Sequence, residues 1–429
     1  MAWLVVVLAL SAGGIAAWSL SRGQDGGPAS ARRADDKAIG SAQTAPAPRV
    51  SLDDRRLTPL GKQMFLSLQG GASWLARAHQ VDGHFLYSTS FIPALNTSLE
   101  GESYLHQLAA AFALARAARF TGNEEHLAKA RQAVSVLLLD TVVDPSQPGL
   151  RYTRLPSVVV NRLATAGLLV MAINELNAPA PDLLKQSEQL CTFIRTRQRA
   201  DGSLSTTDDA PTAAGGVEPD ASYFPAMALY GLMVSQRYQP AAWKTDLVRK
   251  AMRFYQPWWR AHKSMALVPW HTAAYAEGFL LTREQAFADA VCEMNDWLCS
   301  LQHVDLDRDH PFWIGGFMRW IDGKAVATEP DVSSAAYAES LAEACRVVGQ
   351  LGDAPRYQRY LRALESCLQY LVTLQYSQAN TQHFADWYRS RLLGGFHASQ
   401  TDGSLRVDFT QHAVCALEEY LRCVAKVGG

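Results

Sequence analysis

The chain writes one short phrase twice, each time ahead of an apolar run: Glu218-Pro219-Asp220-Ala221-Ser222-Tyr223 and Glu329-Pro330-Asp331-Val332-Ser333. Carboxylates at equivalent points of a repeated scaffold suit proton-transfer chemistry, one donating a proton while another attacks or activates water. The same residues also suit a helix start. Aspartate and serine accept free backbone N–H groups there, and proline lacks the donor that a first turn leaves unused. A carboxylate at that point gains about 0.3–1 kcal/mol from the helix dipole.

Reading the starts of the other apolar runs in order adds Glu100, Glu102 and Tyr104, then Arg154 and Ser157, then Trp270 and His271, then Asp408, Gln411 and His412. Asp220, Asp331 and Asp408 are the acid/base candidates, with His271 and His412 beside them. Glu102, Tyr223, Trp270, Trp313, Arg319, Trp320, Trp387 and Arg406 are expected to bind substrate. Aromatic faces cover sugar rings at low entropy cost, and an arginine fork holds a carboxylate. Each also has a plainer role: first-turn acid for Glu102, core or rim imidazole for the histidines, ion bridge to a capping aspartate for the arginines, core packing for the tryptophans.

Other chemistries find little support. Asp305, Asp307 and Asp309 alternate as calcium ligands do, but the glycine and distal glutamate of a calcium loop are missing, so a solvated turn is expected. There is no phosphate-cradling glycine loop, Gly-x-Ser-x-Gly elbow, His-Glu-x-x-His or Cys-x-x-Cys. No metal or cofactor is expected.

The elements that must position these residues are helices. From about residue 58, amphipathic segments begin near 61, 124, 181, 243, 283 and 354. In the last of these, Tyr357, Tyr360, Leu361, Leu364, Cys367, Leu368, Leu371 and Leu374 recur at steps of three and four. Between them lie runs apolar nearly all round: 101–119, 157–177, 219–237, 269–281, 330–350 and 409–425. A helix apolar on every side is buried on every side, so the pattern predicts six hairpins with the buried helices inside a closed ring. Several joints repeat a glutamine followed by a glycine turn, at 78–87, 197–206, 301–317 and 374–396, with Gly-Gly-Phe at 315–317 and 394–396. Strand signals are confined to stubs such as residues 406–409.

Six such pairs with repeated joints resemble the six-hairpin glycosidase-like proteins, whose fold is an all-α (α/α)6 toroid. The resemblance covers roughly residues 58–425. It implies a substrate cleft at the end of the ring built by inner-helix N-termini and their preceding loops, and a carbohydrate-active enzyme of hydrolase, lyase or epimerase type. A non-catalytic toroid binding a glycan or a protein partner is the alternative. The joint at 198–204 is also similar to the Gln-Trp turns of terpenoid cyclases. However, Leu204 replaces the tryptophan and no Asp-x-Asp-Asp motif occurs.

Composition agrees with a folded enzyme-sized chain of 429 residues, 48% hydrophobic and 19% charged. A formal net charge of −1 leaves no basic field for nucleic acid. Trp3 to Leu20 is uncharged and just long enough to cross a bilayer, so residues 1–21 are expected to be a membrane anchor or signal segment. No lysine or arginine precedes it, which favours an uncleaved anchor over a signal peptide. Residues 22–57 form an Ala/Gly/Pro-rich linker before a toroid domain at 58–429. Basic residues after the segment favour a cytoplasmic domain, while the tether composition leans towards an extracytoplasmic one. The seven cysteines fall within helical patterns, and most are expected to be small buried core residues rather than a disulfide framework.

Overall fold

The computed structural model describes residues 57–86, 88–89, 104–157, 159–207, 223–305 and 307–424. Six outer helices carry the amphipathic stripes: α1 (Pro59–Ala78), α3 (Glu124–Leu138), α5 (Pro181–Thr196), α7 (Ala242–Ala261), α9 (Gln285–Cys299) and α11 (Ala354–Thr373). Six inner helices follow them in turn: α2 (Tyr104–Thr121), α4 (Arg162–Glu175), α6 (Phe224–Ser235), α8 (Val268–Thr282), α10 (Ser334–Leu351) and α13 (Val407–Val424). The short α12 (Asp386–Leu392) lies in the last joint.

The exposure follows from the sequence pattern. α4 is buried at every position from Leu163 to Glu175, whereas α11 buries one stripe formed by Tyr360, Ala363, Leu364, Cys367, Leu368, Tyr370 and Leu371. Each inner helix packs on the next, and α13 packs back on α2, so the inner ring closes. The outer helices cover it from α1 on α13 round to α11 on α10. Asn123, Asn161 and Asp353 cap α3, α4 and α11 with their side chains, as Thr58 caps α1.

The repeated Gln-Gly joint is a clamp between neighbouring hairpins. The Gln198 amide donates to Gly202 O in its own turn and to Leu247 O of α7 (2.9 Å). Gln302 does the same with Gly315 O (2.9 Å) and Ala363 O of α11 (2.8 Å). Gln375 repeats it with Gly394 O (3.0 Å) and Ser67 O of α1 (2.9 Å), tying the last outer helix to the first. Only glycine fits the turn. Gly202, Gly315 and Gly394 have φ of 101°, 90° and 89°, and a Cβ on any of them would lie within 2.4 Å of a backbone oxygen of the next outer helix.

Strand is sparse. β1 (Ser88–Thr89) pairs antiparallel with β6 (Leu405–Arg406), and two hairpins join β2 (Thr141–Asp144) to β3 (Gln147–Thr153) and β4 (Arg319–Ile321) to β5 (Lys324–Val326). The stub expected at 406–409 is corrected: only Arg406 is in a strand, because Val407 onward forms the first turn of α13. The β2–β3 hairpin escaped the sequence reading, although Thr141, Val142 and Val143 are β-branched. All seven cysteines are free thiols, five buried, with Cys299 and Cys423 partly exposed. No helix among the described residues is long and apolar enough to cross a membrane; the apolar stretch 3–20 and the linker up to residue 56 lie outside them.

Candidate functional site

The two ends of the ring are built differently. Where the chain passes from an inner helix to the next outer one, the joints are short: residues 122–123, 176–180, 236–241, 283–284 and 352–353. Where it enters an inner helix, most joints are long, as at 300–333 and 374–406. Side chains of chemical interest at the latter end come from the first two turns of α2, α8, α10 and α13.

Asp408 and His412 lie one turn apart on α13. Arg406, fixed by the β6 pairing, holds Asp408 with two parallel bonds, Nε to Oδ1 (2.9 Å) and Nη2 to Oδ2 (2.7 Å), and lies over the Phe409 ring. His106 of α2 brings Nε2 to 3.8 Å from Asp408 Oδ2. His412 Nδ1 meets Glu339 Oε1 of α10 at 2.5 Å, and its ring packs on Trp270 of α8, centroids 6.0 Å apart. Both imidazoles keep some exposure, 32% for the His106 side chain and 25% for His412.

The two imidazoles are pushed in opposite directions. Burial acts against charge on His412, but the Glu339 carboxylate, its hydrogen bond and Asp408 outweigh it, so the pKa is raised. At His106 burial prevails: Asp408 favours the cation, while Arg406 and His412 oppose it, and the pKa is lowered. Neighbouring groups with separated pKa values can act as acid and base at one pH.

At the same end of the ring, a rim pocket of about 400 Å³ is lined by Lys263, Phe317, Arg319, Trp320, Asp331 and Tyr337, among others. Trp320 packs edge-on to Trp297, and the Lys263 ammonium lies over the Trp259 and Trp297 rings. Asp331 accepts the Ser333 N–H (2.9 Å) and hydroxyl, and Arg319 Nη2 at 3.1 Å. Glu329 accepts the Thr401 N–H (3.0 Å) and hydroxyl (2.7 Å), stitching the fifth joint to the sixth. The second Glu-Pro-Asp phrase therefore enters a helix and ties loops.

Of the predicted site residues, the structure brings Asp408, His412, Trp270 and Arg406 together, and places Asp331, Arg319 and Trp320 in the rim pocket. His271 is corrected to a wall residue. It is fully buried between Tyr255 and Tyr275, with Nδ1 on Leu267 O (2.8 Å), and burial pushes its pKa down to about 4. Trp313 stacks on His310 at 3.9 Å, and exposed Trp387 sits on α12 beside Arg391; neither lines the rim pocket. Tyr223 begins α6 against Phe224. Asp220 and Glu102 lie outside the described residues.

Sequence reading missed Glu339 and His106. His106 is the third residue of α2 and Glu339 the sixth of α10, and the available signal was a histidine or glutamate in an otherwise apolar run. Among the described residues, no group of His, Cys, Asp and Glu is arranged to hold a metal.

No protein-family model matches the sequence, and no curated protein is similar to it. Solved structures do match. An unsaturated glucuronyl hydrolase specific for heparin aligns over 85% of this chain and 98% of its own, with a TM-score of 0.58 and 13% identity. Cellobiose 2-epimerase from Bacillus thermoamylovorans aligns over 85% and 100%, with a TM-score of 0.59 and 11% identity. An inactive variant of the alpha-1,6-mannanase of Salegentibacter sp. HEL1_6, in complex with alpha-1,6-mannotriose, aligns over 85% and 99%, with 0.55 and 9%. The chain has the (α/α)6 toroid fold that its hairpin pattern predicted.

Proposed function

We propose that the protein is a carbohydrate-active enzyme that moves a proton at a sugar carbon, as in epimerisation or elimination, using His412 and His106. The observation that carries this reading is the pair of imidazoles at one end of the ring, His412 on Glu339 and His106 beside Asp408, in surroundings that raise the pKa of the first and lower that of the second. His412, whose cation the Glu339 carboxylate favours, is the general acid, and His106, whose neutral form burial favours, is the base. Removal of a proton from the carbon next to a carbonyl places negative charge on the carbonyl oxygen, which the His412 N–H meets. Returning the proton to the other face epimerises the centre; expelling a leaving group at the next carbon eliminates.

Paired-carboxylate hydrolysis has less support. Asp331 and Asp408, the described aspartates proposed for it, are occupied by Arg319 with Ser333 and by Arg406. That same occupation favours, as the second reading, a glycan-binding toroid without catalysis. The likeness in fold to carbohydrate-active proteins supports the substrate class common to both readings.

The test is incubation with reducing mono- and disaccharides in D₂O, followed by NMR. The enzyme reading expects deuterium at the carbon next to the carbonyl, or an unsaturated product, both lost in His412→Asn. Released monosaccharide without carbon-bound deuterium would indicate hydrolysis instead. Saturable binding with no exchange would support the binding toroid.

We further propose that residues 3–20 anchor the domain to a membrane, with the toroid on the extracytoplasmic side. An uncharged run of bilayer length and the Ala/Gly/Pro-rich tether that follows it support this. The full chain is expected in the membrane fraction and a chain lacking residues 1–50 in the soluble one; equal partition of the two would refute it.

A further inference from the structure

The opposite end of the ring holds a larger cavity, about 930 Å³, running from exposed Arg283 and Gln350 and half-buried Asp353 at its rim to buried Arg116 and Tyr230 in its depth. Six arginines line it: Arg116, Arg119, Arg237, Arg283, Arg346 and Arg422. Their counter-charges are unevenly distributed. On one wall Arg346 has two carboxylates, Glu277 (3.1 Å) and Glu343 (2.6 Å). On the other wall Arg119 (2.5 Å) and Arg237 (3.2 Å) share the single carboxylate of Glu175, and Arg422 shares Glu418 with Arg116. Arg116 also holds Glu419 at 2.6 Å. Burial raises the pKa of Glu419 and of neighbouring Glu343, so these two carboxylates hold their negative charge less firmly than Glu175 or Glu418. The wall of Arg119, Arg237 and Arg422 is short of negative charge.

We infer that this cavity is a second ligand site, for a polar organic anion whose carboxylate or phosphate head group docks against Arg119 and Arg237. Arg119 carries a second mark of an absent acceptor: its buried Nε–H has no hydrogen-bond partner, although guanidinium donors at such depth are ordinarily satisfied. The guanidinium of Arg119 is also drawn below its usual pKa. Burial does this first, and Arg237 and Arg422 add to it against the pull of Glu175. An oxyanion bridging Arg119 and Arg237 removes both deficits with charge-assisted, fork-like bonds.

The C-termini of the inner helices also converge here, and their partial negative charge opposes an anion. That field falls off within the last turn, whereas the guanidinium contacts are direct. The volume exceeds what a bare ion needs, and Tyr357, Gln350 and Asp353 offer hydroxyl, amide and carboxylate partners for a hydroxylated body. The inference is independent of the activity proposed for the other end.

Isothermal titration of the full chain with glucose 6-phosphate, gluconate, inorganic phosphate and glucose tests it. Glucose 6-phosphate or gluconate is expected to bind saturably, at least tenfold more tightly than glucose or inorganic phosphate. Comparison of the two organic anions tells which head group is preferred. Arg237→Gln and Arg119→Lys should each weaken that binding tenfold or more, the lysine preserving the charge beside Glu175 so that the fold is kept. Circular dichroism checks that it is. Arg406→Gln, at the opposite end, should leave the affinity unchanged. Four outcomes would overturn the inference: no saturable binding, binding equal to that of glucose, phosphate alone binding as tightly, or loss of binding in Arg406→Gln but not in the cavity variants.

Discussion

Charge is used in opposite ways at the two ends of the ring. At the end with short joints, five arginines and five glutamates interlock across the inner helices: Arg116, Arg119, Arg237, Arg346 and Arg422 with Glu175, Glu277, Glu343, Glu418 and Glu419. Most of these carboxylates are 3% exposed or less, and none of the arginines can lose its proton near neutral pH. At the end with long joints the charges come in small groups, buried Glu339 with partly exposed His412, and Arg406 with Asp408 and His106, also partly open to solvent. A pinned network holds helices together; a titratable imidazole in a small, open group can exchange its proton. On the proposed function, this contrast assigns stability to one end and acid/base chemistry to the other.

The largest effect should come from His412→Asn. It is expected to lower turnover by about 10²–10⁴-fold, the usual worth of a general acid or base, while the unfolding free energy changes by less than about 1 kcal/mol. Loss of fold with loss of rate would erase the contrast. Glu175→Gln, at the other end, should do the reverse. It strands Arg119 and Arg237 and is expected to cost about 3–5 kcal/mol in chemical denaturation, with the folded fraction keeping its turnover.

Acid should act on the same group. Glu175 opposes burial with Arg119, Arg237, Arg116 and Arg422 and titrates near 2 instead of 4.5. Because its folded pKa is depressed, its stabilisation is complete above pH 4.5 and is lost as pH falls towards 2. A wild-type stability profile that matched Glu175→Gln over that range would contradict this.

The clamps sharpen the comparison by showing a rigid component at the open end. Gly394→Ala must place a Cβ 2.2 Å from Gly70 O at a φ of 89° and is expected to cost about 2–4 kcal/mol. Gly323→Ala, at φ 77° in the β4–β5 turn with open space around it, should cost about 1–2 kcal/mol. Equal costs would mean that the contact with α1 contributes nothing. The smallest effect belongs to Asp331→Asn. Its ion pair with Arg319 is exposed, so stability should change by less than about 1 kcal/mol and turnover by less than threefold. A hundredfold loss of turnover would return Asp331 to the catalytic set.

The fold was legible because its two helix classes differ in kind. α4 is buried all round and α11 along one stripe, and both patterns are visible in the letters. The repeated Gln and Gly of the joints were legible as a repeat, but their clamp was not, since each amide reaches an outer helix about fifty to three hundred residues away. At the site, His412 was found but its partner Glu339 and the neighbouring His106 were not, because both owe their place to contacts across the ring. His271 and His412 read alike in sequence, yet one has its ring nitrogen on the preceding turn's Leu267 carbonyl and the other on Glu339, 73 positions away. Side-chain partners across the ring decide protonation, and no local pattern encodes them.

The separation of the two imidazoles is the central claim, and an NMR titration of the histidine ring protons measures it directly, with His412→Asn and His106→Asn as assignments. His412 should titrate above the ordinary value of 6.5 and His106 below it, with His412 falling back in Glu339→Gln. Turnover should then hold a plateau between the two values, rising as His106 loses its proton and falling as His412 does. Both rings titrating together near 6.5, or in the reverse order, would contradict the account.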